Sequence, residues 1–214
     1  NGRIERGSGE AMEAVIWFSD LRGFTALSER LSGEDVTKVL NAYFGALAGA
    51  VIAEEGEVLK FIGDGLLAVF PYDDQASAKQ AASAAYRATI QALAAVDEIN
   101  LSPPAGLDGV IGWGPLRSGI AIHSGRVFFG NVGAPERLDF TVIGRAVNTA
   151  ARVEALTKEL GEPALITGPV AGLLPQELRS VGRHGLRGVS EQMELFAPAP
   201  VSYTHLRAHE TPLH

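Results

Sequence analysis

Residues 58–71, "VLKFIGDGLLAVFP", place one carboxylate, Asp64, between two glycines and two apolar runs. Glycines accept the positive φ values of a two-residue hairpin turn, so the pattern predicts a tight turn over residues 62–65 joining two strands. Asp64 would either accept hydrogen bonds from its own backbone, the commoner arrangement, or contact a ligand. Lys60 would either reach solvent from a strand edge or contact a ligand. The hairpin alone leaves both pairs of interpretations open.

The segments around this hairpin alternate between strand and helix patterns. Residues 14–19, "AVIWFS", predict a buried strand that ends at Asp20. Ser32 and Asp35 resemble a capping box before a long helix that stops at Gly56. An Ala-rich helix over residues 73–96 and a strand over 119–123 follow. This order predicts an α+β fold with a ferredoxin-like βαββαβ core, whose antiparallel sheet carries its helices on one face.

The remaining chain extends this core. Strands are predicted over residues 126–132, 139–143 and 164–167, a helix over 146–160, and a final strand pair over 179–186 and 192–197. We expect a domain over residues 13–198, a linker from a longer protein over 1–12, and a tail over 199–214 similar to adaptor or vector read-through. His205 and His209 in this tail have the spacing of a helical metal pair but lack a third ligand, so no metal site is predicted there.

Composition limits the partners of the chain. Its 214 residues are 46% hydrophobic and 20% charged, which is typical of one globular domain. The absence of cysteine suits a reducing compartment, and we expect the protein in the cytoplasm. A net charge of -7 argues against nucleic acid as a partner, so a phosphate-bearing ligand would need individually placed cations. The longest weakly polar run, residues 42–53, falls short of the roughly 20 needed to span a bilayer, so we expect a buried helix and no direct membrane contact.

The first candidate site combines two distant carboxylates. In the βαββαβ topology the first strand lies beside the hairpin, so Asp20 and Asp64 become neighbours. Neighbouring carboxylates suit hard cations such as Mg²⁺ and in-line phosphoryl transfer. The segment after Asp20, "LRGFTALSERL", supplies backbone N–H groups and a helix start at Gly23, Phe24 and Thr25, which suit a triphosphate.

The second candidate site is carried by "RLDFTVIGRAVNTAARVEAL". Asn148 and Arg152 are four residues apart and so share one face of the predicted helix. Arg152 could simply pair with Glu136 or Glu159. Asn148 has poor helix propensity, and an amide on an apolar face needs a hydrogen-bond partner, which a nucleotide would supply.

Five motifs together resemble one family. They are "FSDLRGFT", "KFIGDGLLAVF", "GIAIHSGRVFFGNVG", "TVIGRAVNTAAR" and "LRGVSEQMELF", and they occur in this order. Over residues 15–196 the chain closely resembles the catalytic domain of class III nucleotidyl cyclases. One such motif would be weak evidence, whereas five at compatible spacing are strong evidence.

The resemblance implies an adenylyl cyclase that converts ATP to 3′,5′-cyclic AMP and pyrophosphate. It implies that Asp20 and Asp64 bind two Mg²⁺ or Mn²⁺ ions, that Asn148 orients the ribose and that Arg152 stabilises charge on the α-phosphate. It also implies a head-to-tail homodimer, in which the metal carboxylates of one chain face Asn148 and Arg152 of the other. An upstream regulatory domain would precede this fragment.

The same resemblance assigns the purine and phosphate contacts and indicates where the sequence departs from the family. Lys60 and Thr141 would contact the purine, and Lys60 favours adenine because guanylyl cyclases usually carry Glu there. Thr141 replaces the Asp of many adenylyl cyclases and resembles a bacterial branch with bicarbonate-responsive members. Arg187, where Lys is common, would grip phosphate bidentately. A guanylyl cyclase and a catalytically silent nucleotide-binding module stay open as alternatives, whereas "IGDGL" does not fit a diguanylate cyclase turn.

Overall fold

A computed structural model describes residues 9–107, 114–134, 137–189 and 191–199. The elements follow one another as β1 (Gly9–Leu21), α1 (Phe24–Arg30), α2 (Gly33–Ala53), β2 (Glu57–Ile62), β3 (Gly65–Tyr72), α3 (Gln75–Leu101), β4 (Ser118–Ala134), β5 (Arg137–Ile143), α4 (Arg145–Leu160), β6 (Ala164–Thr167), α5 (Gly168–Ala171), β7 (Leu178–His184) and β8 (Met193–Pro198).

The strands form one eight-stranded sheet in the order β2-β3-β1-β4-β6-β8-β7, with β5 paired to the far part of β4. The neighbours are antiparallel except for β4 and β6, which are parallel. The predicted α+β fold with a βαββαβ core is confirmed. The two strands predicted over residues 119–123 and 126–132 are one continuous strand, β4, because the intervening Ser124 and Gly125 keep their pairing with β1.

Helices cover both faces of the sheet, which corrects the prediction of a single helical face. The central strand β1 is buried on both sides: Val15 and Trp17 face the cluster under α2 and α3, whereas Ala14 and Ile16 face the cluster under α4. A strand with an unbroken apolar run needs cover on both faces. The core helices α2 and α3 lie on one face as predicted, and α4 covers the other.

Helix α2 begins as predicted and ends earlier. Ser32 is its N-cap and accepts from the Asp35 N–H at 3.1 Å. The helix ends at Ala53, and the left-handed residue after it is Glu55, with φ 61°. Helix α2 has 21 residues and contains an 18-residue stretch of mean hydropathy 1.5, so by length and composition it is able to cross a membrane, which the 12-residue run was expected to be too short to do. Its buried stripe packs on α3 and the sheet, as in a core helix.

The predicted hairpin turn is confirmed. Ile62 pairs with Gly65, and Gly63, at the first central position of the turn, has φ 61°. Phe61 packs against Phe44 of α2 in a tilted arrangement, with ring centroids 4.5 Å apart. This contact fixes which face of β2 points toward α2, and therefore the face to which Lys60 belongs.

The start of β1 and the end of α3 also differ from the predicted boundaries. Strand β1 starts at Gly9, inside the segment expected to be a linker, and pairs there with Gly130 of β4. Helix α3 runs five residues beyond its predicted end at Val96, to Leu101. The expected tail lies outside the described residues after Ala199, and so do His205 and His209.

Candidate active site

Asp20 and Asp64 meet at one end of the sheet, as the topology predicts. Asp20 is the penultimate residue of β1 and pairs with Gly65, which directly follows Asp64. A Cβ on Gly65 would lie 2.7 Å from the Ser19 carbonyl oxygen and 3.4 Å from Asp20 Oδ1. Glycine is therefore required for the hairpin tip to approach β1 this closely, and this approach brings the two carboxylates together.

The electrostatics of this pair fit a divalent cation. Burial, the charge of Asp64 and a hydrogen bond between the two side chains together raise the pKa of Asp20 to about 6, against a lowering by the Leu21 N–H. No cation in the described part of the chain contributes to this pKa, so the two negative charges lack compensation there. No cluster of three or more His, Cys, Asp or Glu ligands occurs among the described residues. Magnesium commonly completes its shell with waters and substrate phosphates, so a two-carboxylate site suits it.

A third carboxylate, Glu154, lies beneath the pair and was missed by the sequence analysis. It is on the buried face of α4 and is 8% exposed. A Cβ on Gly119, the β4 partner of Asp20, would collide with Glu154 Oε1. Burial and, to a smaller extent, the charge of Asp20 together raise the pKa of Glu154 to about 7. The sequence signal was Gly119, whose missing side chain makes room for this carboxylate.

A hydroxyl pair supports the same end of the sheet from the opposite face. The Tyr43 hydroxyl of α2 lies 2.7 Å from Ser118 Oγ, at the start of β4. Tyr43 is fully buried, and burial raises its pKa. This bond ties α2 to the residue preceding Gly119. The sequence offered no signal for it, because 75 residues separate the two partners.

The predicted phosphate segment follows Asp20 directly. Gly23 is the N-cap of α1 with φ 73°, and no side chain caps the helix start. Its first backbone N–H groups are therefore free of a side-chain acceptor. Phe24 packs against the core beside α2, whereas Thr25 is exposed. The segment is held by an apolar anchor and presents its polar groups outward.

Lys60 and Thr141 lie on strands that contact each other, β2 and β5. Phe61 faces α2, so alternation along β2 directs Lys60 to the other face, and the side chain is half-buried. Lys60 pairs with Leu67, which in turn pairs with Phe18, two residues before Asp20. Thr141 is 9% exposed and pairs with Gly130.

Asn148 and Arg152 share one face of α4, and that face is exposed to solvent. Asn148 is thus not on the apolar face that its low helix propensity suggested. Arg152 makes no ion pair with any residue that the structure describes, Glu159 included; Glu136 lies outside the described residues. Its guanidinium instead lies beside Gly188, which has φ 75° and follows the exposed Arg187. Helix α4 and the loop after β7 therefore bring two arginines to one surface.

Comparison with known proteins agrees with this geometry. The profile described as "Adenylate and Guanylate cyclase catalytic domain" matches residues 8–196. The chain belongs to this family. The cyclase domain is 36% identical over 167 residues to "Adenylate cyclase" of Anabaena cylindrica, covering 78% of this chain and 32% of that protein. It is 30% identical to "Adenylate cyclase 1" of Rhizobium meliloti (strain 1021), covering 86% and 27%. The cyclase chain thus spans about a third of the length of these curated relatives.

Solved cyclase structures share the fold over nearly their whole length. The adenylyl cyclase CyaB from P. aeruginosa superposes with a TM-score of 0.79 at 29% identity, covering 90% of this chain and 96% of that one. The guanylyl cyclase Cya2 superposes with a TM-score of 0.73 at 30% identity, covering 92% and 97%. The fold is therefore common to cyclases named for either nucleotide.

Proposed function

We propose that this domain is an adenylyl cyclase that converts ATP to 3′,5′-cyclic AMP and pyrophosphate. The observation that carries the proposal is the convergence of Asp20 and Asp64 at the end of β1. Burial and the repulsion between these carboxylates raise the pKa of Asp20, and a bound cation would offset that repulsion. The relatives named adenylate cyclase in Anabaena cylindrica and Rhizobium meliloti support adenine over guanine as the base.

The reaction exchanges one phosphorus–oxygen bond for another. The ribose 3′-oxygen attacks the α-phosphorus, the bond to the bridging oxygen of the β-phosphate breaks, pyrophosphate leaves, and the hydroxyl proton passes to solvent. Asp20 and Asp64 would hold two Mg²⁺ or Mn²⁺ ions, which lower the pKa of a bound hydroxyl and neutralise phosphate charge. Gly23, Phe24 and Thr25 would orient the triphosphate through the uncapped N–H groups of α1.

The outer face of α4 would supply the transition-state contacts. Asn148 would orient the ribose, and Arg152 would donate to the oxygens on the α-phosphorus as negative charge develops there. Arg187, on the loop that Arg152 packs against, would bind the outer phosphates. Lys60 and Thr141 would contact the adenine from the neighbouring strands β2 and β5.

We propose a head-to-tail homodimer with two sites, because each chain carries two separate half-sites. The α4 residue that interacts electrostatically with Asp20 is Glu154, on the buried face, whereas Asn148 and Arg152 point to solvent. A second chain related by two-fold symmetry would present its α4 face to the carboxylates of the first. We also propose a regulatory segment upstream of this domain, since the relatives are about three times longer. A cytoplasmic location is part of the same proposal.

Product analysis tests the proposed reaction. The purified chain, at several concentrations, is incubated with ATP or GTP and with Mg²⁺ or Mn²⁺, and the products are separated by chromatography. Cyclic AMP with a specific activity that rises with protein concentration is the expected result. Asp73→Asn, an exposed carboxylate before α3, serves as the matched control for Asp20→Asn. ATP binding without cyclic product under any condition would instead support the silent nucleotide-binding module.

Guanylyl cyclase activity is the second candidate, and Thr141 is the observation that favours it. A buried threonine hydroxyl both donates and accepts, so it discriminates less between the edges of adenine and guanine than an aspartate does. The similarity to the guanylyl cyclase Cya2 is consistent with this. More cyclic GMP than cyclic AMP in the same assay would establish guanylyl cyclase activity. Separately, turnover that bicarbonate leaves unchanged at fixed pH would count against membership of the bicarbonate-responsive branch.

A further inference from the structure

A cavity on the α3 side of the sheet is distinct from the candidate active site. It has a volume of about 640 Å³, which lies within the range of small-molecule sites. Neither Asp20 nor Asp64 lines it. Its walls come from the second half of α3, the residues leading into β4, the α4–β6 connection, the start of β7 and the end of β8.

Three arginines share this cavity with only two carboxylates. The cations are Arg22, Arg117 and Arg179, and the acidic residues are Asp97 and Glu162. Glu162 is already paired with Arg179 at 2.6 Å. Arg117 is exposed and forms no ion pair with any residue in the described part of the chain. The lining residues therefore carry one cation more than carboxylates, while Glu154, which does not line the cavity, also acts on Arg22.

Arg22 has more donors than acceptors around it. Its Nη2 donates to the Glu162 carbonyl oxygen. Its Nε is buried and finds no acceptor among residues 9–107, 114–134, 137–189 and 191–199. The Arg22 N–H donates to the Arg117 carbonyl oxygen at 2.8 Å, so the backbones that carry these two guanidinium groups are adjacent. The unpaired Nε is itself buried and does not open onto the cavity, so a ligand would be held by the guanidinium groups that line it, and these favour a carboxylate or phosphate acceptor.

The remaining lining is apolar. Helix α3 contributes one wall, and prolines from the α4–β6 connection and the end of β8 contribute another. The main apolar residues are Leu93, Val96, Leu116, Pro163 and Pro198. A fully hydrated inorganic anion would leave these surfaces without a partner, whereas an apolar body attached to the anion would cover them.

We propose that this cavity binds an amphipathic organic anion, with a carboxylate held by Arg22 and Arg117 and an apolar body against α3. No residue assigned to the nucleotide site lines this cavity, although Arg22 directly precedes Gly23, so binding without nucleotide is tested separately from the cyclase assignment. Its ligand class is set by the guanidinium groups of Arg22 and Arg117 at one end and the apolar wall at the other.

Isothermal titration calorimetry of the full chain without nucleotide tests this proposal with three probes. They are 2-naphthoate, its neutral isostere 2-naphthamide, and inorganic phosphate. We expect 2-naphthoate to bind with 1:1 stoichiometry at submillimolar affinity, and at least about tenfold more tightly than either other probe. Equal binding of the amide would overturn the role of the arginines, and equal binding of phosphate would overturn the role of the apolar wall. Absence of 2-naphthoate binding would overturn the site.

Two variants and one control locate the binding. Arg117→Gln removes an exposed cation without an ion-pair partner in the described chain, and Ala94→Glu adds a negative charge at the exposed rim on α3. Each should weaken 2-naphthoate binding at least about fivefold. Arg126→Gln, an exposed arginine on β4 that does not line the cavity, should leave it unchanged. Unchanged affinity in both pocket variants, with native circular dichroism, would contradict the proposal.

Discussion

The carboxylate end of β1 and the outer face of α4 differ in what surrounds them. Asp20 is half-buried, touches Asp64 and has Glu154 nearby, so its position and charge are set by contacts within one chain. Arg152 is exposed and lacks an ion-pair partner among the described residues, and its guanidinium lies beside Gly188. The carboxylates of the first region interact with one another within the chain, whereas the polar side chains of the second region, Asn148 and Arg152, are exposed to solvent. This difference supports the proposed homodimer, in which each chain would contribute one half of a site.

The largest expected effect comes from the organised half. Asp20→Asn should lower cyclic AMP formation by more than about 10³-fold, because the pair then lacks the charge needed to hold cations at the phosphates. Turnover is measured by chromatography of the nucleotide products. Asp73→Asn should keep wild-type activity. Retained activity in Asp20→Asn would refute the two-metal assignment.

Arg152→Ala tests the exposed half. Turnover should fall by about 10² to 10³-fold while the affinity for ATP changes less than about threefold, since the guanidinium acts on charge that develops only in the transition state. Steady-state kinetics and equilibrium nucleotide binding separate the two effects. Lys158→Ala, an exposed cation on the same helix, is the control. Equal losses in binding and turnover would assign Arg152 to ground-state binding only.

Mixing the two inactive variants tests whether the halves come from different chains. In a head-to-tail homodimer, an equal mixture of Asp20→Asn and Arg152→Ala should recover about a quarter of wild-type activity, because half of the dimers then contain one intact site. Activity is measured after the two proteins have exchanged subunits. A mixture as inactive as its components would place both halves in one chain.

Divalent cations should stabilise the organised half. At pH 8, with Mg²⁺ at ten to a hundred times its dissociation constant, the free energy of unfolding should rise by about 1–3 kcal/mol. At pH 5 this gain should shrink, because Asp20, with a pKa of about 6, is then mostly protonated in the metal-free protein. Urea unfolding with and without Mg²⁺ measures it. The same gain in Asp20→Asn would show that the cation binds elsewhere.

The smallest expected effect concerns Glu154. Its pKa is raised from 4.5 to about 7 in the folded state, so the folded protein binds more protons than the unfolded chain between these values, and stability falls as the pH rises through this window. Glu154→Gln should therefore raise the free energy of unfolding by roughly 1–2 kcal/mol at pH 8, with allowance for screening by solvent. Below about pH 4.5 the difference should disappear. Equal stability of the two proteins at pH 8 would contradict this account of Glu154.

The sequence alone was sufficient where the signal is local or periodic. The Gly63–Asp64 turn, the Ser32 cap and the βαββαβ order follow from backbone preferences and apolar spacing, which act over a few residues. The adjacency of Asp20 and Asp64 followed from that order, since topology fixes which strand ends are neighbours. The face covered by α4 and the continuity of β4 did not follow, because they depend on which strands pair across the chain.

What only the tertiary structure decided is the environment of each polar group. Glu154 is an ordinary helical glutamate in the sequence, yet it is buried because Gly119, 35 residues earlier, leaves room beside it. Asn148 was expected against apolar neighbours, yet α4 turns it to solvent. Arg22, Arg117 and Arg179 are scattered along the chain and share a cavity only after folding. Residue types determine which interactions are available, whereas burial and charge proximity, which set pKa and ligand preference, are properties of the packed chain.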